Sequence, residues 1–137
     1  MLEEIMEIPQ RAMKFWDNSQ SYKLPLKVPY LGMGSSYFAP LAFKYMDIDI
    51  HPEIASEFYH YQVKGSNLTQ AVILSHSGLS SEALWCAKLF KYYVAITNNP
   101  AGELCTYKNA KNKIFLLAGD ECYSSSKTYI NTLLALY

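Results

Sequence analysis

Two short stretches carry the plainest chemical signal in this chain of 137 residues: Gly32-Met33-Gly34-Ser35-Ser36 and Ser75-His76-Ser77-Gly78-Leu79-Ser80-Ser81. Small residues let backbone N–H groups approach an oxyanion, serine hydroxyls add donors, and a helix N-terminus behind such a loop carries partial positive charge. A phosphate suits that chemistry. The plainer reading of any one serine is a helix N-cap, a position serine favours. Two such loops converging at one place weigh against capping as the whole account. Neither loop is a nucleotide fingerprint. Gly32-Met33-Gly34-Ser35-Ser36-Tyr37 puts a tyrosine where GxGxxG needs its third glycine, and GxxxxGK[ST] does not occur.

The other reactive side chains have structural readings. His51 and His60 lack metal-ligand spacing with a cysteine or carboxylate, so solvation or core packing explains them better than ligation. Cys86, Cys105 and Cys122 are odd in number and widely spaced, which suggests neither a disulfide framework nor a zinc knuckle. Glu57, Glu82 and Glu121 are conceivable bases, although Glu82 in a first helical turn is ordinary dipole compensation. Trp16, Trp85, Phe90, Tyr92 and Tyr93 are expected to fill the core or an oligomer face. Lys127 is expected to cap carbonyls or form an ion pair at a helix start.

The elements that must position the two loops follow from the apolar pattern. Leu2, Ile5, Met6, Met13 and Trp16 recur at helical spacing around Pro9, which predicts two short helices leading into a core. Strands are expected at 28–31, with pairing from Tyr30 because of Pro29, then at 47–50, 71–74, 92–97 and 113–117. Helices are expected across 37–45, 54–61, 83–90 and 129–136. Strands alternating with helices imply an α/β three-layer sandwich: a five-stranded parallel sheet in flavodoxin-like, doubly wound order, preceded by the N-terminal helices. In that order the first and third strands are neighbours, and ligands collect beyond their carboxyl ends. The two Gly/Ser loops are the ones expected there.

Composition limits the partners. Twelve basic and twelve acidic residues cancel, and no Lys/Arg run offers the basic face that nucleic acid requires. The N-terminus MLEEIMEIPQ is acidic and has no continuous apolar run, unlike a secretory signal or a membrane span. No linker divides the chain, so residues 1–137 are expected to form one domain, intracellular and soluble, in the cytoplasm. No cofactor or metal is expected.

Five motifs in order then resemble the sugar isomerase (SIS) family. Met33-Gly34-Ser35-Ser36-Tyr37 looks like its CGTSY loop, and Ile54-Ala55-Ser56-Glu57-Phe58 matches its ASEF segment. Ser75-His76-Ser77-Gly78-Leu79-Ser80 is similar to SQSGET, and Ile96-Thr97-Asn98-Asn99-Pro100 to the ITN turn. Ala118-Gly119-Asp120-Glu121 with Ser125-Ser126-Lys127-Thr128-Tyr129 resembles AGxE and STKxY. Within the family the likeness is to the first of the paired SIS domains in the isomerising aminotransferases of amino-sugar synthesis. The resemblance implies that Ser75, His76, Ser77 and Ser80 hold a phosphate, and that Gly34, Ser35, Ser36 and Asn98 face a sugar. It gives Glu57 and Glu121 structural roles. His76 stands where the family usually has Gln, Gly102 where a sugar-facing Ser is common, and the stretch from Glu121 to Lys127 is one residue short. Beside a phosphate dianion, His76 is expected to have a raised pKa and to couple affinity to pH between about 6.5 and 8.

The implied ligand is a hexose or hexosamine 6-phosphate, such as fructose 6-phosphate or glucosamine 6-phosphate. The implied partner is a second copy or a second SIS chain, because the family's catalytic carboxylate and lysines lie in a second SIS domain and its tail. Isomerase or deaminase activity is therefore expected only when such a chain completes the site. The alternative is a non-catalytic module that senses phosphosugar.

Overall fold

The computed structural model describes residues 1–62, 68–122 and 125–137. The short stretch between Glu121 and Lys127 falls partly on residues 123 and 124, outside the described residues. Helices α1 (Leu2–Met6) and α2 (Ile8–Asn18) come first, with Pro9 in the opening turn of α2, where its missing N–H costs nothing. Alternating elements follow: β1 (Pro29–Gly32), α3 (Ser35–Tyr45), β2 (His51–Ile54), α4 (Ala55–Tyr61), β3 (Gln70–Leu74), α5 (Ser81–Ala87), β4 (Tyr92–Thr97), β5 (Ala110–Phe115) and α6 (Lys127–Leu136). A 3₁₀ turn at Glu103–Cys105 precedes β5. All strand pairs are parallel, in the order β2-β1-β3-β4-β5.

Residues of the central strands alternate between two cores, so their near-continuous apolar runs serve both faces. Leu31, Ala71, Ile73, Tyr93 and Ala95 pack with Ala83, Leu84, Ala87 and Phe90 on one side. Tyr30, Val72, Leu74, Val94 and Ile96 pack with Phe15 and Ala135 on the other. The buried tyrosines keep their hydroxyls satisfied: Tyr30 donates to the Pro25 carbonyl at 2.7 Å, and Tyr93 to the Leu104 carbonyl. No helix among the described residues is long and apolar enough to cross a membrane.

Four expectations are corrected. The second strand lies at 51–54 rather than 47–50. Asp47 adopts a left-handed φ of 62° and ends α3, with the Asp47 N–H on the Lys44 carbonyl and the Ile48 N–H on the Phe43 carbonyl, so these residues leave the helix before the ladder begins. Pro52 is tolerated because β2 is an edge strand. The fifth strand starts at Ala110, earlier than expected, since Lys111, Asn112 and Lys113 are exposed on the opposite edge and hide its apolar pattern. Helix α5 stops at Ala87 rather than Phe90, and α6 begins at Lys127 rather than 129. The two N-terminal helices are present as expected, and their apolar stripe is largely exposed: Trp16 is 58% exposed and Met13 65%, whereas Phe15 is 3% exposed. Trp85 is also exposed, while Phe90 and Tyr93 are in the core.

Gly32 ends β1 where the first turn of α3 crosses over it. A Cβ there would lie 2.6 Å from the Ser36 carbonyl carbon and oxygen, which are backbone atoms and cannot swing aside. Gly32→Ala is expected to cost about 2 kcal/mol, as overpacking generally does. Urea unfolding should show a lower midpoint with an unchanged slope. An unchanged midpoint would mean that α3 is free to lift from the strand.

Candidate functional site

The β1 and β3 strands are hydrogen-bonded neighbours, Tyr30 opposite Val72 and Leu31 opposite Ile73, so the loops at their carboxyl ends meet at the point where strand order reverses. A cavity of about 370 Å³ opens there, lined by Met33, Gly34, Ser35, Ser36, Leu74, Ser75, His76, Ser77, Ser80 and Ser125. Its volume suits a small ligand. Two larger hollows, about 600 and 460 Å³, lie beside the 19–24 segment. One reaches the outer strand β5 and the other is chiefly apolar, so neither gathers the Gly/Ser loops.

The structure brings together seven residues singled out from sequence: Gly34, Ser35, Ser36, Ser75, His76, Ser77 and Ser80. Gly34 has φ 54° and ψ −127°, a conformation that suits glycine, and it starts α3 so that Ser35 and Ser36 form the first turn at the cavity wall. Ser77 Oγ accepts the Leu79 N–H at 3.1 Å, a bond that leaves the Ser77 hydroxyl proton for another acceptor. Ser80 Oγ donates to Glu82 at 3.2 Å and must give up that partner to donate to a ligand.

Asn98 is placed elsewhere. It does not line the cavity; its Nδ2 donates to the Gly119 carbonyl and its Oδ1 accepts the Ala118 N–H, both at 2.8 Å. Its backbone N–H reaches the His76 carbonyl at 3.0 Å, which the Thr97 hydroxyl also approaches at 3.2 Å. Asn99 Nδ2 holds the Ser77 carbonyl at 3.0 Å. The turn after β4 thus clamps the serine loop from outside.

Gly102 is a packing residue. A Cβ on it would fall 2.8 Å from the Cα of Gly78 and 3.0 Å from the Ser77 carbonyl, so the backbones touch where a serine side chain would have to stand. The serine that does face the cavity, and that was missed from sequence, is Ser125. Its only signal was membership of the Ser-Ser-Lys motif; its place is decided by the fold.

Glu121 and Lys127 build the wall that carries Ser125. Glu121 accepts the N–H groups of Ser126 at 2.8 Å and Lys127 at 2.6 Å and the hydroxyl of Thr128, so its carboxylate caps the start of α6. Burial alone would raise its pKa; the hydrogen bonds from Thr128, Lys127 and Ser126 outweigh that and hold it below the usual value. Lys127, 2% exposed, donates to Glu7 at 2.9 Å and to the Asp120 carbonyl at 2.8 Å, both of the roles expected for it. Glu57 is exposed and outside the cavity lining.

His76 sits with Nδ1 3.0 Å from Ser125 Oγ and Nε2 3.4 Å from Thr132 Oγ1. Burial pushes its pKa down to about 4, against the opposing charge of Glu121. In the free protein the ring is therefore neutral between pH 6.5 and 8, because the protein around it replaces water poorly; the raised pKa expected beside a phosphate dianion concerns the bound state.

No family model matches the chain. It is 34% identical to isomerising glutamine–fructose-6-phosphate aminotransferase of Fusobacterium nucleatum over 79% of this chain and 18% of that protein. The corresponding enzyme of Thermotoga maritima is 28% identical over 100% of this chain and 26% of its own length. Among solved structures, the C-terminal domain of glucosamine-fructose-6-phosphate aminotransferase from Francisella tularensis superposes with a TM-score of 0.81 at 23% identity, over 98% of this chain and 44% of that one. The chain has the sugar isomerase (SIS) fold. The chain spans about a quarter or less of the length of the aminotransferases it matches.

The histidine and the capping glutamate make stability sensitive to acid in separate windows. Between pH 6.5 and about 4 the unfolded chain protonates His76 while the folded one does not, so stability falls as pH is lowered through that range. Glu121 has a folded pKa below 4.5, so its contribution is present above 4.5 and is lost as pH falls below it. Urea midpoints measured from pH 7 to pH 5 should therefore drop in the native protein and drop less in His76→Gln. Equal slopes in the two proteins would show that His76 titrates normally.

Proposed function

We propose that this SIS domain binds a hexose or hexosamine 6-phosphate, fructose 6-phosphate and glucosamine 6-phosphate being the first candidates. The observation that carries the reading is the serine-lined cavity at the switch point between β1 and β3, in a chain whose sequence relatives are fructose-6-phosphate aminotransferases. Ser75, His76, Ser77 and Ser80 surround the phosphate, with Gly34, Ser35 and Ser36 toward the sugar. Asn98, earlier assigned to the sugar, acts by holding the serine loop. No lysine or arginine lines the cavity among the described residues, so the phosphate is held by neutral donors and the backbone. The chain works in the cytoplasm.

Hydrogen bonds to a charged group are worth about 1.5–3 kcal/mol each, so Ser77→Ala with Ser80→Ala is expected to weaken phosphosugar binding by roughly two orders of magnitude. Calorimetric titration with glucosamine 6-phosphate and fructose 6-phosphate checks this, with unphosphorylated sugars as control. Because His76 is neutral over the working range, affinity should decline toward pH 6 with the phosphate's own second ionisation, which lies near about 6, and His76→Gln should follow the same curve. Equal binding of plain and phosphorylated sugar would remove the assignment.

Exchange of a ketose phosphate with an aldose phosphate needs a base that moves a proton between adjacent carbons. Among the described residues the cavity lining contains no carboxylate and no lysine, and its histidine is engaged at both nitrogens. The domain is accordingly a partial member of the amino-sugar isomerase and deaminase group: it binds, and a second SIS chain or a second copy supplies the catalytic groups. The exposed stripe of Leu2, Met6, Met13 and Trp16 is a surface such a partner could cover. Purified monomer is expected to show no turnover of either sugar phosphate, and addition of the completing chain to restore it. Turnover by monomer, abolished in Glu121→Gln or Glu57→Gln, would overturn this division of labour.

A further inference from the structure

The contacts of His76 determine which way a neighbouring hydroxyl can point. Thr132 is fully buried and donates to the Thr128 carbonyl at 2.7 Å, a bond that uses its single proton. Toward His76 Nε2, 3.4 Å away, the Thr132 oxygen can only accept, which puts the ring proton on Nε2. A neutral ring has no second proton, so Nδ1 is an acceptor, and burial keeps the ring neutral at ordinary pH. The 3.0 Å contact between Nδ1 and Ser125 Oγ is then a bond donated by the serine. Ser125 lines the cavity with its only proton already spent.

We propose that the Thr128–Thr132–His76–Ser125 hydrogen-bond relay makes Ser125 an acceptor toward the ligand. At the position that meets Ser125, the site therefore selects a hydroxyl or ammonium group over an oxygen that can only accept. The proposal rests on the phosphosugar reading above. It divides the cavity by polarity: donors gathered on the serine loop for the phosphate, and on the α6 side one acceptor for a sugar O–H or N–H. His76 is a positioning residue in this scheme, acting through Ser125. A glutamine in its place could accept the Ser125 proton through its carbonyl or offer an amide proton instead; the imidazole, held by Thr132, has one orientation.

Two measurements test it. Nitrogen-15 NMR of the histidine rings in the free protein at pH 7 should find His76 protonated at Nε2 and bare at Nδ1; a proton at Nδ1 overturns the relay. Titration with hexose 6-phosphates and their single deoxy and deoxyfluoro analogues then reads the selection, since fluorine occupies the hydroxyl's place without donating. At one carbon, the fluoro and deoxy compounds should both bind about threefold to tenfold more weakly than the parent, the effect of one neutral hydrogen bond. Ser125→Ala should abolish that penalty. His76→Leu, which frees the Ser125 proton, should reduce the fluoro penalty more than the deoxy one. Should His76→Leu not fold, Ser125→Ala at its half-buried position carries the test. A penalty untouched by Ser125→Ala overturns the selection. Binding of no hexose 6-phosphate overturns the phosphosugar reading and the selection with it. That result is distinct from normal binding with the wrong tautomer, which overturns the relay alone.

Discussion

Everything at the candidate site depends on β1 lying directly beside β3. Parallel strands in the order β2-β1-β3-β4-β5 require the chain to lay β2 outside β1 and then return to the other side of it, so helices leave the sheet on opposite faces. The gap between those departures is the cavity. It is kept narrow by backbone contact: the first turn of α3 sits on Gly32, and Gly102 sits on Gly78. Side chains at either glycine would force the loops apart, and the serines would no longer face one cavity.

A second constraint closes the far wall. Glu121 satisfies the first N–H groups of α6, and Lys127 ties that helix to Glu7 between α1 and α2. The Lys127 ammonium is nearly inaccessible, so either acceptor, Glu7 or the Asp120 carbonyl, would be costly to remove. The network explains why two N-terminal helices with little buried surface of their own belong to the architecture: they provide the counter-charge that holds α6, and α6 holds Thr132 against His76.

The chemistry of the cavity is set by its hydroxyl groups. Its lining is rich in hydroxyls and contains one titratable side chain among the described residues, a neutral histidine with both nitrogens engaged. Such a lining can offer hydrogen bonds to an anion or a polyol. The exposed apolar residues of α1 and α2, Leu2, Met6, Met13 and Trp16 among them, lie apart from that cavity.

Much of the fold was legible in sequence because buried parallel strands announce themselves: Ala71 to Leu74 and Tyr92 to Ile96 are apolar without interruption, and each is followed by a small or polar residue. The edge strands were misplaced for the same physical reason. β2 carries a proline and β5 three exposed polar residues, so neither has the buried pattern by which a strand is recognised. The two serine loops were readable because small and hydroxyl residues cluster there in sequence. What only the tertiary structure decided is how those residues are divided between cavity lining and scaffold: Asn98 turned outward to Gly119, Gly102 pressed against Gly78, Ser125 brought into the cavity, His76 buried and neutral. Residue type and spacing determine which strands and loops form. Solvent access and hydrogen-bond partners are set by segments 21 to 56 residues away in the chain, and those exist only once the sheet has closed over them.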